Sequence, residues 1–168
     1  MSKSIPFLVR PEKLDGSLPG DMGFDPMGLS EIQNDLSYAA TAEIKHGRIC
    51  MLAIVGMVVQ ESGIHWPGEQ FTNTDPFGAI SSVGWAGNLQ VFTFIGCLEI
   101  ATFNKTFGDG TPGDLGFDWY GVLKNLDDDA LKARRESEVI HGRLAMIALT
   151  GAVVQTLLYH KPLLDIFD

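Results

Sequence analysis

The side chains with chemical capacity come in matched sets. Glu43, His46 and Arg48 return as Glu138, His141 and Arg143, 95 positions further on. They sit in Glu43-Ile44-Lys45-His46-Gly47-Arg48-Ile49-Cys50-Met51 and in Glu138-Val139-Ile140-His141-Gly142-Arg143-Leu144-Ala145-Met146. At that offset 43–67 and 138–162 share 12 of 25 residues, Gln60/Gln155, His65/His160 and Pro67/Pro162 among them. All four histidines of the chain belong to the two copies.

Helical spacing decides what each set can do. Positions three apart lie about 60° apart on a helix, so Glu43 and His46 share a face, as do Glu138 and His141. Positions five apart lie about 140° apart, so Arg48 is badly placed for Glu43 and better placed for the other copy. Two reciprocal pairs follow, Glu43 with Arg143 and Glu138 with Arg48, which tie the two helices together. A carboxylate paired with arginine keeps lone pairs free, so it can still ligate a cation at near-zero net charge. Histidine offers a neutral nitrogen one turn away. Gln60 and Gln155 at the far ends of the helices, with Gln90 and Glu99 on a helix between them, offer further oxygens. Donors scattered singly along apolar helices suit many single-ligand sites better than one metal cage.

Three helices must carry these groups. Residues 1–29 are punctuated by proline and glycine too densely for a helix and read as an extended tail. Within the tail, Pro19-Gly20-Asp21-Met22-Gly23-Phe24-Asp25-Pro26 is itself repeated as Pro112-Gly113-Asp114-Leu115-Gly116-Phe117-Asp118. The repeated unit is therefore a turn with Phe and Asp, a spacer, and then the Glu/His/Arg helix. Ser30 is the expected N-cap of helix 1, which spans about 31–62 and ends at Gly63 and Pro67. Residues 63–82 read as loop, helix 2 as 83–103, 104–128 as loop again, and helix 3 as about 129–160. Gly47, Ala53, Gly56 and their copies offer small surfaces for close helix approach.

Helix 2 is apolar all round and about 31 Å long, the thickness of a bilayer core. The loops agree with a membrane. Residues 62–82 hold no Lys or Arg, whereas 104–137 hold Lys105, Lys124, Lys132, Arg134 and Arg135, and the tail holds Lys3, Arg10 and Lys13. The expected fold class is an all-α membrane protein with three transmembrane helices. Helices 1 and 3 run the same way and form a crossed pseudo-two-fold pair. Trp66, Trp85, Trp119 and Tyr159 fall near helix ends as an aromatic belt, with His65 and His160 as anchors at the opposite surface.

At 168 residues the chain is one domain, and a net charge of −9 excludes nucleic-acid binding through a basic surface. Cys50 and Cys97 read as small buried hydrophobes. No import segment is visible in Met1–Pro11, so either none is needed or the chain is a processed form.

The sequence resembles the three-helix light-harvesting chlorophyll-binding proteins of thylakoid membranes, over nearly its whole length. Glu-x-x-His-Gly-Arg-x-x-Met present twice, each copy preceded by the Phe-Asp turn, carries the resemblance. It implies that Glu43, His46, Glu138 and His141 each supply a single protein ligand to a chlorophyll magnesium, and that Gln155, Gln90, Glu99 and Gln60 are further chlorophyll ligands. It also implies carotenoid head groups near Phe24-Asp25 and Phe117-Asp118. Short loops, His141, and the tail Ile5-Pro6-Phe7-Leu8 with Leu14-Asp15-Gly16 are similar to the red-algal-derived branch associated with photosystem I. Chlorophyll a, chlorophyll c and a xanthophyll are then the implied cofactors. Trp119 departs from the proline usual after the second Phe-Asp.

The implied function is a non-enzymatic antenna subunit that passes excitation to a photosystem core, photosystem I first. Its partners are that core, neighbouring antenna subunits and thylakoid lipids. Its place is the plastid thylakoid, with the N-terminus on the stromal side. Two alternatives stand beside this. One is a photoprotective quencher of the same family. The other is a di-iron carboxylate enzyme, since Glu-x-x-His also occurs in pairs there; it would need two more inward carboxylates, and only Glu99 is available within helix 2.

Overall fold

A computed structural model describes residues 5, 7–107, 111–118, 121, 125–159 and 161–164, with the side chains of Thr106 and Phe107 excepted. Trp119, His160, Lys3 and Lys124 lie outside the described residues. Within those described, all regular structure is helical: α1 (Leu29–Ile32), α2 (Leu36–Glu61), a 3-10 turn (Glu69–Phe71), α3 (Pro76–Phe107) and α4 (Asp128–Tyr159).

Each helix is started by a carboxylate. Asp25 accepts from the backbone N–H of Leu29 and Ser30 at 3.0 and 2.8 Å and from the Ser30 hydroxyl at 2.6 Å. The expected N-cap, Ser30, is thus inside α1, and Gly28, in the left-handed region at φ 67°, takes the cap position. Helix 1 does not run unbroken from 31. It stops after Ile32 and restarts at Leu36, where Asp35 accepts from the Ser37 N–H and hydroxyl. Its far end is as expected from Gly63. That residue has φ 82°, its N–H bonds to Gln60 O, and the Ile64 N–H reaches back to Val59 O, the paired bonds of a Schellman cap.

The second helix starts earlier than the apolar run alone indicates. Pro76 sits at its first position, and the Asp75 carboxylate accepts from Phe77 and Gly78 N–H. The helix is broken inside at Gly84 (φ 77°, ψ 167°), next to where the apolar run begins. Asn88 bridges the break by donating to Ile80 O at 2.7 Å. At its other end α3 extends through residues assigned to loop, to Phe107. Asp128 and Asp129 start α4, where carboxylates favour the helix dipole.

Two helices are long and apolar enough to cross a membrane, Pro76–Lys105 and Asp128–Tyr159, each with mean hydropathy 1.3 in its best window. Only 6% and 17% of those windows are buried within the chain. α2 is not among them, because Glu43, Lys45 and Arg48 interrupt it and leave Ile49–Val59 as its apolar part. Threonine hydroxyls on the helices bond within their own helix. Thr41, Thr93, Thr102, Thr150 and Thr156 each donate to the carbonyl four residues back, so they carry no unmet donor on apolar surface. Cys97 faces outward from α3 and is exposed; Cys50 is half-buried. The expectation of a buried Cys97 fails because α3 has almost no interior side.

The chain divides into two compact units, one of Met1–Gly47 with Asn104–Arg143, the other of Arg48–Phe103 with Leu144–Asp168. In the first, α2 and α4 meet at Gly47 and Gly142. A Cβ on Gly47 would stand 2.8 Å from Gly142 Cα, so the two backbones are in contact there. In the second, Gly56 and Gly151 have nothing within 4 Å of such a Cβ. Of these four repeat glycines, Gly47 and Gly142 are therefore the two at a close backbone approach.

Candidate pigment-binding site

The first unit holds a compact polar cluster. Arg143 Nε donates to Glu43 Oε1 at 2.6 Å and Nη2 to Oε2 at 3.2 Å, a two-pronged ion pair from α4 to α2. Arg143 Nη1 donates to Gly20 O at 2.9 Å. One guanidinium therefore joins two helices and the first Pro-Gly-Asp turn. Gly20 has φ 74°, and a Cβ there would stand 2.7 Å from Val139 Cγ1, so the turn lies directly on α4. Glu138 and Arg48 are half-buried on their helices.

The two turns are copies in conformation as well as in sequence. Asp21 accepts from the Gly23 N–H at 2.7 Å, and Asp114 from the Gly116 N–H at 2.8 Å. Gly20, Gly23, Gly113 and Gly116 all have positive φ, which glycine alone adopts freely. Arg10 pairs with Asp21 at 3.3 Å and also bonds Leu14 O, and Lys13 donates to Glu31 O at 3.1 Å, so the tail is tied to itself and to α1. Phe24 and Phe117 are exposed beside Asp25 and Asp118, which are half-buried. The Ser30 hydroxyl and then the Ser30 N–H hold the Asp25 carboxyl below the usual carboxylate range.

The histidines share one local geometry. His46 Nδ1 lies 2.7 Å from Ala42 O, and His141 Nδ1 lies 2.7 Å from Ser137 O. A carbonyl oxygen only accepts, so in both rings Nδ1 is the donor, and Nε2 is the nitrogen left for a ligand role. Both side chains are exposed on their helices. This is the outer-sphere arrangement that fixes an imidazole as a ligand through its other nitrogen. The residues therefore fit a magnesium-centred pigment, which each histidine would hold through a single nitrogen.

Gln90, Glu99 and Gln155 are exposed along α3 and α4. Gln60 differs from them. Its amide nitrogen donates to Asn73 O, and it lines a cavity of about 250 Å³ with His65, Trp66 and Phe71. The cavity and Asn73 escape sequence reasoning, since Asn73 acts through its backbone carbonyl, which no residue type marks. Trp66 and Tyr159 are largely exposed near helix ends, whereas Trp85, also largely exposed, lies inside α3 beside the break at Gly84. Among the described residues no three His, Cys, Asp or Glu side chains gather as a metal cluster, so a di-iron centre has no support.

Comparison with known proteins agrees with this chemistry. The profile of the chlorophyll A-B binding protein family matches residues 10–157. The fucoxanthin-chlorophyll a-c binding protein F of Phaeodactylum tricornutum is 36% identical over 141 residues, which cover 78% of this chain and 72% of that protein. A chlorophyll a-b binding protein of Petunia hybrida is 39% identical over 172 aligned positions, covering 90% of this chain and 63% of its own length. The photosystem I chlorophyll a/b-binding protein 6 of Arabidopsis thaliana is 32% identical, covering 86% of this chain and 61% of its own length. The match runs from the Arg10–Asp21 tie through both Glu/His/Arg helices to just past Gln155, and with it the chain belongs to the chlorophyll A-B binding protein family.

Proposed function

We propose that the chain is a light-harvesting antenna subunit of the plastid thylakoid membrane. It crosses the bilayer three times, with α2 as the third span and its N-terminus in the stroma. In this reading α2 and α4 form a pseudo-two-fold pair, with Glu138 and Arg48 as the reciprocal partner of the Glu43–Arg143 ion pair. Glu43, His46, Glu138 and His141 each hold one chlorophyll magnesium, and Gln155, Gln90 and Glu99 hold others. Xanthophyll head groups rest at Phe24-Asp25 and Phe117-Asp118. The pigments are chlorophyll a and chlorophyll c, as the names of the diatom relatives suggest, and the acceptor is a photosystem core, photosystem I, beside further antenna subunits.

Chlorophyll, when bound, supplies the absorption and the excited state. The chain supplies position. Each histidine presents Nε2 at a direction set by its Nδ1 bond to its own helix. Arg143 holds the Glu43 carboxylate in place and balances its charge, which leaves oxygen lone pairs for a further contact. Separate single-ligand sites keep the macrocycles apart and oriented.

The paired histidine geometry carries the reading, and it supports the loss of one site per substitution. His46→Leu and His141→Leu, refolded with thylakoid pigments in detergent, should each hold about one chlorophyll fewer per chain, with helical circular dichroism unchanged. Unaltered pigment stoichiometry in both variants, or a purified wild-type protein without visible absorption, would refute it.

A further inference from the structure

The two Pro-Gly-Asp turns are alike inside but are held from outside by different helices. Within each, an Asp carboxylate accepts from the N–H two residues on, Asp21 from Gly23 and Asp114 from Gly116. The first turn is gripped by α4, through Arg143 Nη1 on Gly20 O at 2.9 Å. The second is gripped by α3, where Lys105 Nζ donates to Leu115 O at 2.9 Å. With Gly20 aligned on Gly113, Leu115 is the counterpart of Met22, so the grip falls later in the second turn than in the first. Lys105 belongs to neither copy of the repeat, which comprises the turns and the Glu/His/Arg helices.

The ammonium is seated on the turn. A Cβ on Gly116 would land on Lys105 Nζ and stand 3.3 Å from Lys105 Cε, and Gly116 has φ 71°. Any residue but glycine there would push the ammonium away. Lys105 closes the apolar span Pro76–Lys105. By charge alone it is one more cation flanking a membrane, and a lysine in that place ordinarily turns its head to water or lipid head groups. Here it bends onto the chain instead. The last turn of α3 and residues 111–118 lie in the same compact unit. An ammonium has three donors, so one can serve Leu115 O while the others stay hydrated. The cost of holding the side chain is then mainly rotamer entropy, which a bond from a charged donor can offset. Phe117 and Asp118 follow Gly116 directly, so fixing Leu115 and Gly116 fixes where that pair leaves the turn.

We infer that Lys105 is the positioning residue of the second turn and, granted the antenna reading on which this part rests, of the xanthophyll head group at Phe117-Asp118. Arg143 serves the first turn, so the two turns are set independently.

Wild type, Lys105→Met and Lys105→Arg are refolded with thylakoid pigments in detergent. Methionine keeps the apolar stem and removes the donor, whereas arginine keeps both charge and donors. Amide exchange at Gly116 is read against Gly23, the matching amide of the first turn. In Lys105→Met, Gly116 should exchange about tenfold faster, the low end for a bond to a charged group because the side chain is exposed, with Gly23 unchanged. The same variant should hold about one xanthophyll fewer per chain, with altered carotenoid circular dichroism and the chlorophyll count unchanged. Lys105→Arg should recover both signals. Equal Gly116 exchange in wild type and Lys105→Met, equal acceleration at Gly116 and Gly23, or no recovery in Lys105→Arg overturns the grip. A full and spectrally unaltered xanthophyll complement in Lys105→Met overturns the pigment role. A wild-type protein that takes up no xanthophyll overturns the antenna reading and the pigment role with it, and exchange at Gly116 then decides the grip by itself.

Discussion

The Glu43–Arg143 pair gives the sharpest test of how the helices are held. Arg143 makes two charge-assisted bonds to Glu43 and one to Gly20 O. Glu43→Ala leaves a guanidinium with only the carbonyl; Arg143→Leu leaves a carboxylate at the crossing. Breaking a buried pair costs about 3–5 kcal/mol, whereas an exposed pair contributes about 0.2–1 kcal/mol. The two side chains are 42% and 34% exposed in the bare chain, so the expectation lies between these limits, at about 2 kcal/mol for each single variant. The double variant removes both charges and should be no worse than either single one. The coupling is then about 2 kcal/mol, or roughly 30-fold in the folded ratio. The assay is unfolding of the four pigmented proteins in graded dodecyl sulfate, followed by pigment circular dichroism. Additive losses, with coupling below about 0.5 kcal/mol, would refute the pairing as a clamp.

Other perturbations follow from single contacts. Gly142→Leu drives a side chain at the Gly47 backbone, 3.0 Å from the position of the new Cβ, and should cost at least about 1–3 kcal/mol. Its readout is the yield of pigmented protein, with Gly142→Ala intermediate. Gly84→Ala forces a residue with a Cβ into φ 77°, ψ 167°, at about 1–3 kcal/mol, visible as a lower Tm. Asp25 has its carboxyl held below the ordinary range, so its capping of α1 is fully present above about pH 4 and is lost as pH falls through the lowered value. Leu29 and Ser30 amides should lose exchange protection, relative to their intrinsic rates, on acidification in wild type, and Asp25→Asn should remove that dependence.

The sequence carried the repeat, the family and the long helices because each depends on residue type at fixed spacing. Glu-x-x-His on one face and Arg turned from it is plain arithmetic on a helix, and the structure brings Arg143 onto Glu43. The Gly63 stop is equally local. What was illegible depended on which competing local bond prevails. Ser30 is a good cap by type, yet Asp25, five residues back, accepts from the Leu29 and Ser30 N–H groups and from the Ser30 hydroxyl, so the helix begins at Leu29 instead. Apolar periodicity marked the start of helix 2 near residue 83, while Asp75-Pro76 had already begun it, with Gly84 as a break between. The break at Gln33–Asp35 was hidden because Asp35-Leu36-Ser37 reads as ordinary helix interior until the carboxylate is seen to turn onto Ser37. Apolar neighbours predict a buried Cys97, which holds in water but not on a helix whose outer face is apolar.

The two ligand candidates of each repeat differ in what they need before they exist. His46 and His141 take their orientation from a carbonyl four residues back on the same helix. Either imidazole is therefore complete as soon as one helix has formed, even while the chain is still entering a membrane. The Glu43 carboxylate is different, because Arg143 lies 100 residues away in sequence and reaches it only when the last helix is in place. A nascent chain could thus hold pigment at its first histidine long before the clamp closes. Under the proposed ligand assignment, order of assembly is written into neighbouring residues of one turn, the histidine as an early anchor and the glutamate as a late one.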